Sequence, residues 1–195
     1  MPSSEPSQVG PARILTVCTG NICRSPYAER VLWHAFPADL VVVTSAGTSA
    51  MVADGIDVEA VALLQARQMH HAGHSARQLT RQIIEDADLV LAMTTEHRTA
   101  VVRLLPRAVR KTFTAREVGR LIPAADLTEL PSGAADRVRA LPARLAAARG
   151  QLARGTASDD VGDPYRRGAE AFRLMAEELD PALESLVDAV TGRKT

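Results

Sequence analysis

Three observations predict an α/β fold, a mainly parallel, twisted four-stranded sheet with helices on both faces. Short apolar runs rich in β-branched residues recur at Ile14–Val17, Leu40–Thr44 and Asp88–Met93. Between and after them lie segments whose apolar residues repeat at helical spacing, an alternation that argues for parallel strands joined by crossover helices. The third observation is size: 195 residues at 46% hydrophobic composition can bury one sizeable core, and no composition break divides the chain. One domain is therefore expected over residues 13–192.

The first twelve residues, Met1–Ala12, are rich in Pro and Ser and lack the basic start and apolar stretch of a signal peptide. They read as a disordered tail. Ile14–Val17 is the first strand. After Cys18 the chain runs Thr-Gly-Asn-Ile-Cys-Arg-Ser-Pro, and Ala28, Val31, Leu32 and Ala35 then mark a helix whose first turn tolerates Pro26. Leu40–Thr44 is the second strand. Asp57 is placed to cap a helix over Val58–Met69, and Thr95 to cap one carrying Ala100, Val101, Leu104 and Leu105, which Pro106 ends. Asp88–Met93 supplies the third strand, and Lys111–Thr114, shorter and more polar, a fourth that suits an edge.

Between Arg120 and Asp160 the sequence turns rich in Ala and Arg. Val138, Leu141, Leu145, Ala148 and Leu152 form one stripe of an amphipathic helix, kinked or begun by Pro142. Its apolar stripe could cover a pocket, bind a partner or pack on the sheet, with packing the default. The last long helix, Gly168–Val190, places Phe172, Met175, Leu179, Leu183, Leu186 and Val190 on one face, and Pro181 is expected to bend or interrupt it.

Composition excludes several functions. Lysine plus arginine and aspartate plus glutamate both count 23, so no net charge holds the chain on nucleic acid or an anionic membrane. Aromatics are 3% of the chain, which leaves no basic patch interleaved with stacking rings. No apolar run approaches the roughly 20 residues that span a bilayer. The two cysteines, Cys18 and Cys23, share one loop and are no disulfide framework, which fits a reducing cytoplasm. A soluble, cytoplasmic protein, monomeric or weakly homo-oligomeric, is expected.

Cys18 ends a strand, and Arg24 follows six residues later at the mouth of a helix. Successive backbone N–H groups in a loop of that length can curl around one dianionic phosphate, and the helix N-terminus adds partial positive charge. The same field favours a nucleophilic thiolate at Cys18. Arg24 offers a planar fork that matches two phosphate oxygens. Gly20 lets the backbone approach an anion closely, and Asn21 tolerates a left-handed conformation. Ser25 can direct its hydroxyl to the Cys18 sulfur, and Thr19, Ile22 and Cys23 complete the loop. The alternative, a buried structural cysteine beside a solvated arginine, leaves the Cys-x5-Arg-Ser spacing unexplained.

This stretch, CTGNICRSP, resembles the signature of low-molecular-weight protein-tyrosine phosphatases. The resemblance extends through TSAGT at Thr44–Thr48, GHSARQL at Gly73–Leu79, ADLVLAM at Ala87–Met93 and GDPY at Gly162–Tyr165. It covers roughly Arg13 to Gly192, with Arg120–Asp160 longer than the family leads one to expect. It implies a cysteine-dependent phosphatase that hydrolyses phosphotyrosine in protein substrates through a cysteinyl-phosphate.

A leaving phenolate needs a proton from a carboxylic acid across the phosphorus. Asp159, Asp160 and Asp163 are the late candidates, and spacing alone does not choose. The family's acid is the Asp of an Asp-Pro pair, which points to Asp163, leaving Asp159 and Asp160 as solvated loop charges. By the same resemblance Ile22 and Met51 form an apolar rim. Tyr165 lines the pocket wall or belongs to the core, and Arg166 and Arg167 follow where several members carry aromatic or small residues. Members that favour phosphoarginine resemble one another in carrying threonine where this chain has Ile22, so a protein-arginine phosphatase is the alternative.

Cys23 is either a disulfide partner that spares Cys18 from over-oxidation or a small buried loop residue. The five histidines are not in ligand spacing, no metal, nucleotide or flavin motif appears, and phosphoryl transfer to cysteine requires no cofactor. An arsenate reductase would need further cysteines, which the chain lacks. A silent phosphate-binding module would lack nucleophile, arginine or acid, and all three are present.

Overall fold

Strands β1 (Ala12–Cys18), β2 (Val41–Gly47), β3 (Leu89–Ala92) and β4 (Thr112–Thr114) pair in the order β2-β1-β3-β4, every pair parallel. The computed structural model describes residues 10–151 and 158–193. In chain order the helices are α1 (Arg24–Ala35), α2 (Val58–Ala66), α3 (Arg81–Asp86), α4 (Thr95–Leu104), α5 (Ala115–Leu121), α6 (Ala134–Gln151) and α7 (Gly168–Thr191), with 3-10 turns at Pro106–Arg110 and Ile122–Ala124.

Side chains alternate across the sheet as a pleated strand requires. Ile14, Leu89 and Leu91 join a core with Tyr27, Leu32, Leu145, Phe172 and Leu186, on the face covered by α1, α6 and α7. Leu15, Val17 and Val90 point the other way and pack with Ile84 of α3, Val101 of α4 and Ala108. Burial on both faces explains why apolar residues occupy adjacent as well as alternate positions in β1, β2 and β3. Chain order also positions the site. β1 lies between β2 and β3, with Cys18 opposite Gly47 and Val17 opposite Ala92. The loop leaving β1 therefore emerges at a switch point on the carboxyl edge, where α/β sheets open a crevice. Among the described residues no helix is long and apolar enough to cross a membrane.

Several expectations change. Ala12, expected within the tail, already opens β1, its N–H donating to the Leu40 carbonyl at 3.0 Å; residues 1–9 lie outside the described residues. The cap of α4 is Thr94, not Thr95, since the Thr94 hydroxyl accepts the N–H of His97. Two short helices, α3 and α5, were not expected; α5 opens with a capping box in which Thr114 and Glu117 satisfy each other's backbone N–H groups.

β4 is an edge strand as expected, yet its three residues are buried. The Thr112 hydroxyl donates to the Ala108 carbonyl, and Arg98 and Arg149 donate to the Thr112 carbonyl, so its polar groups are satisfied under cover.

Within the Arg120–Asp160 segment, α6 packs on the sheet. Val138, Leu141, Leu145 and Ala148 of α6 enter the larger core, while Leu152 lies outside the described residues. Arg149 fastens the end of α6 by an ion pair to Glu117 at 2.7 Å and by lying 4.2 Å above the Phe113 ring. Pro142 neither begins nor ends α6 but sits inside it. Pro181 likewise lies inside α7, which continues unbroken. Its position is solvent-exposed, where water can serve the Glu177 carbonyl deprived of a helical donor.

Candidate active site

The loop Cys18–Arg24 is held from below by a polar network. Asn21 has φ 58°, the left-handed conformation that its residue type tolerates, and its side chain is fully engaged. Its amide nitrogen donates to Ser25 Oγ at 3.0 Å and Ser45 Oγ at 2.8 Å, and its Oδ1 accepts the Arg77 backbone N–H at 2.9 Å. The Ser45 hydroxyl continues to Glu29, and His74 Nε2 stands 2.8 Å from the Asn21 carbonyl. Asn21, Ser25 and Ser45 are all buried, so each polar group satisfied here is one whose loss would be costly.

At the centre the Cys18 sulfur lies 3.0 Å from Ser25 Oγ and receives the Asn21 backbone N–H at 3.3 Å. Because Ser25 Oγ already accepts from Asn21, its own proton is available for the sulfur. Arg24 is the first residue of α1. One guanidinium nitrogen donates to the Val161 carbonyl at 3.2 Å and another pairs with Asp163 at 3.0 Å, while Nε, buried, has no protein partner. The arginine is thus anchored on one side and keeps donors in reserve for an anion.

A cavity of about 150 Å³ opens above the sulfur, lined by Cys18, Thr19, Gly20, Ile22, Cys23, Arg24, Ser49, Met51, Asp163 and Tyr165. The structure therefore brings together every residue singled out from the sequence except Asn21 and Ser25, which lie beneath as supports. Met51 and Ile22 flank Gly20, within 3.7 Å and 3.5 Å of where its Cβ would stand, and Gly20 does not use a positive φ. Tyr165 fulfils both alternatives, lining the cavity and packing against the core.

Of the three late aspartates only Asp163 reaches this cavity, and its side chain is half-exposed. The expectation that Asp159 and Asp160 are solvated loop charges does not hold. Asp159 pairs with Arg120 at 2.9 Å, and Asp160 accepts the Thr95 N–H at 2.7 Å, as a carboxylate does at the positive end of a helix. Both fasten the segment that presents Asp163. Cys18 and Cys23 are free thiols. Burial, with Asp57 adding to it, pushes the Cys23 thiol up to about 12, so it is protonated at neutral pH.

Sequence reasoning missed several contributors. Gly47 is required where β2 meets the loop, since a Cβ there would lie 2.4 Å from the Thr19 carbonyl. Ser45 and Glu29 are polar groups aimed into buried ground, a signal readable in a serine within an apolar strand. The spacing of His74 and His97 suits no metal and gives no other signal in the sequence. Yet His97 is buried, with Nε2 2.8 Å from Thr19 Oγ1 and Nδ1 2.8 Å from Thr94 Oγ1.

Burial, reinforced by the Arg24 charge, pushes His97 down from its ordinary 6.5 to about 4. The unfolded chain therefore binds a proton that the folded chain refuses between those values, so stability held at this site is complete above pH 6.5 and is lost as pH falls towards 4. His97→Gln is expected to flatten the decline in thermal midpoint across that window, where the group's contribution to the slope is at most about 1.4 kcal/mol per pH unit. Equal declines in variant and wild type would contradict it.

Comparison with known proteins agrees with this arrangement. The family model for low molecular weight phosphotyrosine protein phosphatase matches residues 13–131. The low molecular weight protein-tyrosine-phosphatase Wzb of Escherichia coli K12 is 41% identical over 93 residues, 48% of this chain and 62% of the relative, so the match spans under two thirds of that relative's length. A protein-arginine-phosphatase of Geobacillus stearothermophilus is 31% identical over 179 residues, 91% of this chain and 95% of the relative. Among solved structures, the Erwinia amylovora tyrosine phosphatase AmsI superposes with a TM-score of 0.67 at 27% identity, covering 95% of this chain and 97% of that one.

Proposed function

The chain belongs to the low-molecular-weight phosphotyrosine protein phosphatase family, and on that premise we propose that it hydrolyses phosphotyrosine in protein substrates. The observation that carries the reading is the convergence of Cys18, Arg24 and Asp163 on one cavity whose mouth is lined by Ile22, Met51 and Tyr165. The Cys18 sulfur attacks phosphorus in line, with the Ser25 hydroxyl and the Asn21 N–H directed at it. The phosphoryl oxygens replace Asp163 as partners of Arg24 and take up its unpaired Nε–H and the loop amides. Asp163, so released, takes up the proton that the thiol or the phosphate monoanion brings to the site and passes it to the phenolate as it leaves. Water then cleaves the cysteinyl-phosphate with Asp163 as base.

The cavity of about 150 Å³ is narrow, and its apolar wall suits the face of a phenyl ring. A second reading is favoured by the Geobacillus relative, named a protein-arginine-phosphatase and similar over nearly the whole chain. Ile22 argues for tyrosine, because its side chain is apolar, 8% exposed and offers no hydrogen-bond partner to a guanidino group. Assay on matched phosphotyrosine and phosphoarginine peptides decides: kcat/KM is expected to be at least about tenfold higher for phosphotyrosine. The reverse preference would overturn the substrate assignment and leave the mechanism standing.

The same reading assigns residues 13–192 to one phosphatase domain with α6 as a structural addition. It places the protein in the cytoplasm, where two free cysteines in the reactive loop stay reduced. The partner is a phosphotyrosine protein, met by a monomer or weak homo-oligomer.

A further inference from the structure

Beside the reaction cavity lies a polar groove of about 500 Å³. Thr19, Arg24 and Asp163 line both, so the two share a wall. The apolar rim of Ile22, Met51 and Tyr165 belongs to the cavity alone, whereas the groove is faced by groups such as Thr94, His97, Arg116 and Asp160. An aryl group seated on the rim leaves the groove side open to water.

At the shared wall Thr19 Oγ1 is tied to His97 Nε2 at 2.8 Å. A hydroxyl has one proton and two lone pairs, and a neutral imidazole has one N–H and one lone pair. Whichever nitrogen carries the proton, Thr19 Oγ1 keeps at least one lone pair that is not spent on His97. His97 is itself fixed on its far side by Thr94, so Thr19 is held by a buried ring and not free to rotate away. The same β3–α4 corner fixes the acid: the Thr95 N–H donates to Asp160 at 2.7 Å, and the Val161 N–H to the Met93 carbonyl at 2.9 Å. One rigid corner therefore sets the distance between Thr19 and Asp163.

We propose that the groove admits the water that cleaves the cysteinyl-phosphate, and that Thr19, positioned by His97, accepts a hydrogen bond from one O–H of that water while the Asp163 carboxylate accepts from the other. This rests on the phosphatase reading above. Held at both hydrogens, the water presents a lone pair to phosphorus. Its oxygen bonds to phosphorus as the S–P bond breaks, the electron pair returns to Cys18 as thiolate, and the proton released passes to the Asp163 carboxylate. Thr19 touches the reacting water; His97 acts only through Thr19 and is a positioning residue.

Rapid-quench kinetics with an aryl phosphate separate the two chemical steps. Thr19→Val, an isosteric change at an exposed position, is expected to slow hydrolysis of the cysteinyl-phosphate about tenfold, the worth of one well-placed hydrogen bond, and to leave its formation within about twofold. A burst of phenol stoichiometric with enzyme then appears. Thr19→Ser, which keeps the hydroxyl, restores the second step, and His97→Gln slows it in the same direction by a smaller factor. With glycerol added, Thr19→Val raises the ratio of glycerol phosphate to inorganic phosphate. Equal slowing of both steps, or no change in the second, would overturn the proposal. A wild-type enzyme that turns over without any cysteinyl-phosphate would overturn the phosphatase reading itself, a distinct result.

Discussion

Cys18→Ser is expected to lower turnover of aryl phosphates by at least about four orders of magnitude, the scale on which enzymes lose rate when a nucleophile is removed. The hydroxyl that replaces the thiol has the same neighbours, the Ser25 hydroxyl and the Asn21 N–H, but neither is a base able to take its proton. The fold should be indifferent to the change, because Cys18 is a small residue at a strand end and its backbone continues to accept the Thr48 N–H at 2.9 Å. Thermal midpoint and phosphate binding are therefore expected to survive while rate does not. Loss of both together would assign Cys18 to the core and not to the chemistry.

The second large effect belongs to Asp163. Asp163→Asn keeps the shape of the side chain and removes its proton, so kcat for phenyl phosphate is expected to fall about 100- to 1,000-fold, within the usual worth of a general acid. The loss should shrink as the leaving phenol becomes more acidic, since a stable phenolate needs less help. KM for the aryl phosphate is expected to fall as well. Asp163 pairs with Arg24 at 3.0 Å, and a neutral amide competes less with an incoming phosphate than a carboxylate does. A uniform loss across leaving groups would remove Asp163 from the acid role. Asp160→Asn weakens the tie to the Thr95 N–H that fastens the segment presenting Asp163, so a smaller loss with the same dependence on leaving group is expected.

The sheet and the cradle were legible because their physics is local. Strand burial on both faces writes itself as apolar residues at adjacent as well as alternate positions, and Cys18 to Arg24 compresses nucleophile, turn, anion fork and helix start into one contiguous stretch. Asn21 was read correctly from residue type alone, and its φ of 58° is the expected backbone. The supports were harder to see because they come from distant segments. Ser45, Glu29, His74 and Arg77 meet under Asn21 only after β2 and the chain beyond it fold back. Metal spacing is the one signal that a histidine's position in sequence carries, and a hydrogen-bonding tie such as His97 to Thr19 leaves none.

The helix α5 was missed although Thr114-Ala115-Arg116-Glu117 is a capping-box signal; seven residues give little periodicity to read. Pro181 misled in the other direction. Proline breaks helices by removing a donor, and the cost is small where the deprived carbonyl faces water, as it does on the outer side of α7.

The central claim is that phosphorus is carried on Cys18. Acid quench during turnover of an aryl phosphate, followed by proteolysis and mass analysis, tests it most directly. The account predicts a phosphate adduct on the peptide containing Cys18, absent from Cys18→Ser and more abundant in Thr19→Val. Full turnover with no adduct, or an adduct on any other residue, would contradict it.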